Sequence, residues 1–205
     1  MSDKNSWTGM CAEIQDRSLS NTSLFEVKNT KALWAEISKC LIFASDEKIL
    51  DTPQYEINGL LKIGEPPKDI VELLRVGEGS KFKQTDYYVI TVGKKNQKHR
   101  QDIPHFKLNN GCWFDFTILI SEVSKPSQIL GFNFEIRFPE KFSPSFLRFD
   151  LNPPNHKNNV GNMRFHLHPS NETIMLHSPP MSPLEILHMF LYGIEIPDKS
   201  RATRS

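Results

Sequence analysis

The chain alternates between two hydrophobic periods, and the change from one to the other divides it. From Thr30 to Ile49, "TKALWAEISKCLIFASDEKI" places Leu33, Trp34, Ile37, Cys40, Leu41 and Ala44 on one stripe at a spacing of three to four residues, which predicts an amphipathic helix. In "GEPPKDIVELLRVGEG" a proline pair opens a shorter helical pattern at Ile70, Leu73 and Leu74, and Gly77 and Gly79 stop it. After Gly79 the period becomes two. "DYYVITV" is β-branched and aromatic, "CWFDFTILISEV" is a continuous apolar run suited to a central strand, and "SKPSQ" supplies a turn into the next strand. That strand, "LGFNFEIRF", sets Leu130, Phe132, Phe134, Ile136 and Phe138 on one face and Asn133, Glu135 and Arg137 on the other.

Two more alternating stretches follow. In "FLRFDLN" the inward set is Leu147, Phe149 and Leu151; in "RFHLHP" it is Phe165 and Leu167. "SPLEILHMFLYGI" then predicts a closing helix, with Ser182 as N-cap, Pro183 in the first turn, Glu185 completing a capping box, Leu184, Leu187 and Leu191 buried, and Gly193 as the stop. His188, one residue past Leu187, reads as a semi-buried packing residue. The expected fold class is α+β: an antiparallel sheet of about four to six strands, with the helices at 30–49 and 182–193 packed on its apolar face.

The expected organisation is a disordered N-terminal arm at 1–22, poor in large apolar groups, a single domain at 23–195 and a flexible tail at 196–205. Within the domain, 30–76 is helical, 80–178 is β-rich and 182–193 is the closing helix. Lysine and arginine total 25 against 24 acidic residues, so any binding of nucleic acid or an anionic membrane needs a local patch. Cys11, Cys40 and Cys112 are far apart and form no CxxC pair, which favours reduced thiols and a cytoplasmic location. No segment has the run of about 18 apolar residues that a membrane helix needs, and the first residues carry no apolar leader.

Chemistry concentrates late in the chain. Five of seven histidines, His156, His166, His168, His177 and His188, follow residue 155. If the strands at 146–151 and 164–168 are antiparallel neighbours, alternation brings Arg148, Asp150, Arg164, His166 and His168 onto one face, with His177 at the end of a further strand beside them. Three readings are open. His166 and His168 can act as general acid and base with Asp150 orienting them, while Arg148, Arg164 and His177 hold a phosphodiester; this reading needs no cofactor. Alternatively, His166, His168 and Asp150 are three ligands for zinc, iron or manganese, leaving coordination positions open. The bland alternative is the solvated face of an antiparallel sheet, ordinarily filled with such residues, where substitutions scarcely alter stability. No P-loop, Rossmann fingerprint, GxSxG elbow or HExxH occurs, which disfavours the common nucleotide-binding and hydrolase classes. The basic run "GKKNQKHR", Gly93 to Arg100, reads as a hairpin tip able to touch phosphate, and Trp113, Phe114 and Phe116 as core rather than base-stacking residues.

The succession "RFDLNPP", "RFHLHPS" and "SPLEIL" resembles a pattern in uncharacterised bacterial proteins, some found near toxin–antitoxin modules. It is also distantly similar to the TumE-type ribonuclease toxins, in which an Arg-aromatic-Asp strand precedes a His-rich strand. The resemblance spans about residues 130–193, with Arg148, Phe149 and Asp150 matching the first element and His166 and His168 the second. The longer helical N-terminal half and the Pro-Pro-Asn loop fall outside it. It implies an RNA-cleaving hydrolase of a bacterial defence or toxin–antitoxin type, with RNA and an antitoxin as partners. A non-catalytic accessory protein that binds a partner is the remaining alternative.

Overall fold

The computed structural model describes residues 22–78, 82–92, 100–157 and 163–196. The expected arm and tail, apart from Thr22 and Ile196, and residues 93–99 of the basic run lie outside the described residues. The helices are α1 (Thr30–Asp46), α2 (Gln54–Leu60), α3 (Lys68–Glu78) and α4 (Pro183–Tyr192). The strands are β1 (Glu26–Val27), β2 (Leu61–Gly64), β3 (Tyr87–Val92), β4 (Phe106–Lys107), β5 (Trp113–Ser121), β6 (Ser127–Arg137), β7 (Phe146–Leu151), β8 (Phe165–Pro169) and β9 (Leu176–His177). The fold is α+β. All strand pairs are antiparallel, in the order β2-β3-β5-β6-β7-β8-β9, with β1 added to β6 and β4 to β5.

The sheet has nine strands, more than the four to six expected, and it reaches outside 80–178. Leu61–Gly64 forms an edge strand inside the stretch expected to be helical, and Glu26–Val27 pairs with β6. Such segments are too short to display a period, so pairing with a neighbour decides their conformation.

The expected helix stripe is buried on α1 at Leu33, Ile37, Leu41 and Ala44; Cys40 is exposed. Asn29 caps α1 by accepting from the Ala32 N–H at 2.8 Å. On α4 the capping box forms as the sequence predicts: the Ser182 side chain accepts from the Glu185 N–H, and Glu185 accepts from the Ser182 N–H at 2.7 Å. The buried stripe of α4 is Ile186, Leu187, Phe190 and Leu191, with Leu184 only partly buried. His188 is exposed, against expectation, and lies against the Tyr192 ring on the outer side of the helix. Phe190 ties α4 to the sheet. Its ring stands 5.7 Å from Phe114, 6.3 Å from Phe134 and 6.1 Å from Phe149, one contact on each of β5, β6 and β7.

One irregularity corrects the face assignment of β6. Leu119 pairs with Gly131 but the next residue, Ile120, pairs with Ile129, so Leu130 is an extra residue in a bulge. Leu130 therefore leaves the helix-covered face and joins Leu74, Tyr87, Val89 and Leu119 on the other. There α3 packs over part of the sheet through Leu74 and Ile70. The solvated-face alternative would put this second face in water, and much of it is not: Glu135 is 1% exposed, His166 1% and His168 4%.

Candidate functional site

Strand register brings the expected residues together. Asp150 pairs with His166 and Arg148 with His168 across β7 and β8, so the four side chains rise from one face as the alternation predicts. The same row continues inward: His166, Asp150, Asn133, Thr117 and Thr91 are successive cross-strand partners on β8, β7, β6, β5 and β3. A parallel row holds His168, Arg148, Glu135 and Asp115. Above these rows lies a cavity of about 610 Å³, within the range of small-molecule sites, bounded by α3, the segment after β7 and the β8–β9 connection.

Each imidazole is held from behind. His166 Nδ1 lies 2.8 Å from the Met163 carbonyl oxygen and His168 Nδ1 3.3 Å from that of Asn171. A carbonyl oxygen can only accept, so both Nδ1 atoms carry the proton and both Nε2 atoms are lone-pair donors in the neutral rings. Those two Nε2 atoms face each other at 3.0 Å. Asp150 Oδ2 completes the set, 3.3 Å from His168 Nε2 and 3.7 Å from His166 Nε2. Three electron-rich atoms thus converge on one point, all within 4.8 Å of one another. Such an arrangement is repulsive without a positive centre, either a proton making one ring an imidazolium or a metal ion.

Asp150 is positioned in turn. Asn133 Nδ2 donates to its Oδ1 at 2.5 Å and Arg148 Nε to its Oδ2 at 3.0 Å. Burial, the largest single influence, would raise the Asp150 carboxyl, yet the hydrogen bond that His168 gives when it is the imidazolium and the charge of Arg148 together hold it below the usual carboxylate range. Burial pushes the His166 imidazole below its ordinary value; the neighbouring His168 adds to this and Asp150 opposes it.

The arginines are spoken for. Arg148 NH1 makes a 2.6 Å ion pair with Glu172 on the β8–β9 connection and lies 3.6 Å from Glu135, while its Nε holds Asp150. Burial would lower the Arg148 guanidinium, but Asp150 and Glu172 outweigh it and its affinity for the proton rises. Arg164 does not line the cavity: its Nε donates to the Asn152 carbonyl at 3.2 Å and its NH2 to that of Leu130 at 3.2 Å, fastening the end of β7 to β6. His177 is the register partner of His166, but it is exposed and is not among the residues that line the cavity. The expected six therefore divide into Arg148, Asp150, His166 and His168 at the site, and Arg164 and His177 beside it.

Asn133, Thr117, Thr91, Asp115 and Glu172 line the cavity and were given no role from the sequence; His156, counted among the late histidines but assigned no role, lines it too. Asn133 sits on the polar side of "LGFNFEIRF", and that was a usable signal once the pairing of β6 with β7 was known. Glu172 had none, because it lies in a loop. Gly131 admits the chain that closes one end: a Cβ there would stand 2.8 Å from the Leu151 carbonyl oxygen and 3.1 Å from Pro153 N. Phe114 and Phe116 are core, as expected, and Cys112 is buried with its thiol pushed up to about 11 by burial. No helix among the described residues is long and apolar enough to cross a membrane.

No protein-family model, curated protein or solved structure matches this chain.

Proposed function

We propose that the protein is a metal-dependent enzyme whose mononuclear centre is Asp150, His166 and His168, acting on a small molecule admitted to the adjoining cavity. The observation that carries this is the pair of Nε2 atoms 3.0 Å apart with both Nδ1 atoms committed to backbone carbonyls. Two nitrogens bound to one ion at about 2.1 Å and at a right angle stand about 3.0 Å apart. The backbone carbonyls and Asn133 supply the outer hydrogen bonds that orient metal-binding imidazoles and carboxylates. Two imidazoles and one carboxylate suit divalent iron, zinc or manganese and leave positions for water and substrate, where an ion activates water or polarises a carbonyl. A cytoplasmic location belongs to the same proposal, supported by the free thiols Cys40 and Cys112.

The ribonuclease reading, motivated by the resemblance to TumE-type toxins, asks for guanidinium groups that can hold phosphate. Arg148 is already paired with carboxylates and Arg164 with carbonyls. The cavity lining carries Asp69, Asp115, Asp150 and Glu172, a poor setting for a polyanion. The metal reading is therefore the better supported of the two.

The test is titration of the purified full chain with Co(II) under anaerobic conditions, followed by visible absorption. One equivalent is expected to bind, and Asp150→Asn and His168→Gln, with folding confirmed by circular dichroism, are expected to lose it. A spectrum that does not change on adding Co(II), or one these substitutions leave intact, would overturn the proposal. Cleavage of RNA by metal-free protein, lost in His168→Gln, would favour the toxin-like reading, and an antitoxin-like partner would then be sought by pull-down.

A further inference from the structure

We infer that the cavity takes an elongated amphipathic molecule, with an oxygen-donor head at Asp150, His166 and His168 and an uncharged alkyl or acyl tail laid across β6, β5 and β3. The inference deepens the metal reading and rests on it for the head. It stands on how the cavity floor is built, strand by strand.

Three rows of side chains cross that floor. The middle row, from Asp150 through Asn133 and Thr117 to Thr91, spans three strand gaps, roughly 14 Å at about 4.8 Å each. The ionic row beside it engages its own members: Glu135 lies 2.6 Å from Arg137 and 3.6 Å from Arg148, which also holds Asp150 and Glu172. The third row is apolar, Val89 on β3 beside Leu119 on β5, and Ile70 of α3 packs against it. The ligating atoms are gathered at the Asp150 end of the slot. Toward the far end the hydroxyls of Thr91 and Thr117 bond each other at 3.1 Å, Val89, Leu119 and Ile70 form the apolar side, and Asp69 and Asp115 are the charged groups on the lining there.

A ligand that matches this slot carries its polar atoms at one end. A polyol or nucleotide would bring hydroxyl or phosphate groups against Val89, Leu119 and Ile70, leaving them without partners at a cost that a methylene chain avoids. The carboxylates Asp69 and Asp115 on the lining also disfavour an anionic tail. The class is thus a small molecule with a chelating oxygen head and a linear hydrocarbon tail.

The test uses straight-chain alkyl hydroxamates, neutral in solution until they coordinate, on the Co(II)-loaded full chain and on the metal-free chain. Binding is read by the cobalt spectrum and by calorimetry. Affinity is expected to rise about fourfold per added methylene until the chain outruns the slot, then level off. Thr117→Phe and Ile70→Trp, which add bulk into the slot from its floor and its roof, are expected to bring the plateau to shorter chains while Co(II) binding stays one to one. Normal Co(II) binding with an affinity indifferent to chain length would overturn the tail slot and leave the metal centre standing. Equal affinities with and without Co(II) would overturn the assignment of the head. Failure of Co(II) to bind at all would overturn the metal reading and this inference with it.

Discussion

The two faces of the sheet are made by the same strands and are held by different physics. On the face covered by α1, α2 and α4, Phe114, Phe116, Phe134 and Phe165 are each at most 2% exposed, and the contacts are ring against ring, such as Phe116 stacked on Phe134 at 4.7 Å. Such packing is non-directional, and any apolar group of about the right volume satisfies it. On the other face, Glu135, His166 and His168 are as deeply buried, but each polar atom must be matched with a partner of the right kind. The first face can therefore be read from a pattern of residue types. The second can be read only from which atoms meet.

The largest difference between the faces should appear on truncation. Phe134→Ala removes a fully buried ring from between Phe116 and Phe190, and is expected to cost about 3–5 kcal/mol in urea unfolding. Co(II) stoichiometry should be retained in the fraction that stays folded. A cost under about 1 kcal/mol would mean that the helix-covered face is not the main core. Next comes Gly131→Ala, where the new methyl would meet backbone at 2.8 Å and 3.1 Å rather than a flexible side chain. The expected loss is about 3 kcal/mol, the upper part of the range for overpacking, read as a lower melting midpoint. An unchanged midpoint would show that the segment at 151–153 can move aside.

His166→Ala sharpens the comparison directly. On a solvated face it would alter stability by about 0.5 kcal/mol or less. Here it removes a ring with 1% exposure and leaves the Met163 carbonyl without its donor, so the expected loss is about 2 kcal/mol by denaturant melt of the metal-free protein. A loss within 0.5 kcal/mol would restore the solvated-face description. The smallest effect belongs to Glu172→Gln. Its ion pair with Arg148 is short, but the Glu172 side chain is 63% exposed, and a pair with one partner in water is worth under about 1 kcal/mol. A larger loss would make the β8–β9 connection a structural clamp over the cavity.

The elements themselves were legible where a period ran long enough to repeat. Helix α1, the capped start of α4 and the alternation of β6 and β7 all follow from spacing, because a helix or strand with one buried face must repeat its apolar positions at 3.6 or 2 residues. The sharing of one face by Arg148, Asp150, His166 and His168 was legible for the same reason, once β7 and β8 were taken as antiparallel neighbours. Leu61–Gly64 and Glu26–Val27 were not, since two to four residues carry no period and become strands only by pairing. Nor was the phase change at Leu130, which the mismatch between Leu119–Ile120 and Gly131–Ile129 imposes.

The sequence by itself determined which residues could rise from the polar side of the sheet; the tertiary structure decided that this side is a cavity rather than a wet surface. The physical reason lies in distance along the chain. Periodicity reports only on neighbours within a few residues. The burial of His166 and His168 depends on groups from elsewhere: Asp150 on β7, Asn133 on β6, and α3, whose Asp69 and Ile70 are nearly a hundred positions away. Whether an imidazole titrates in water or presents a lone pair to an ion is set by those partners, and they meet only when the chain has folded.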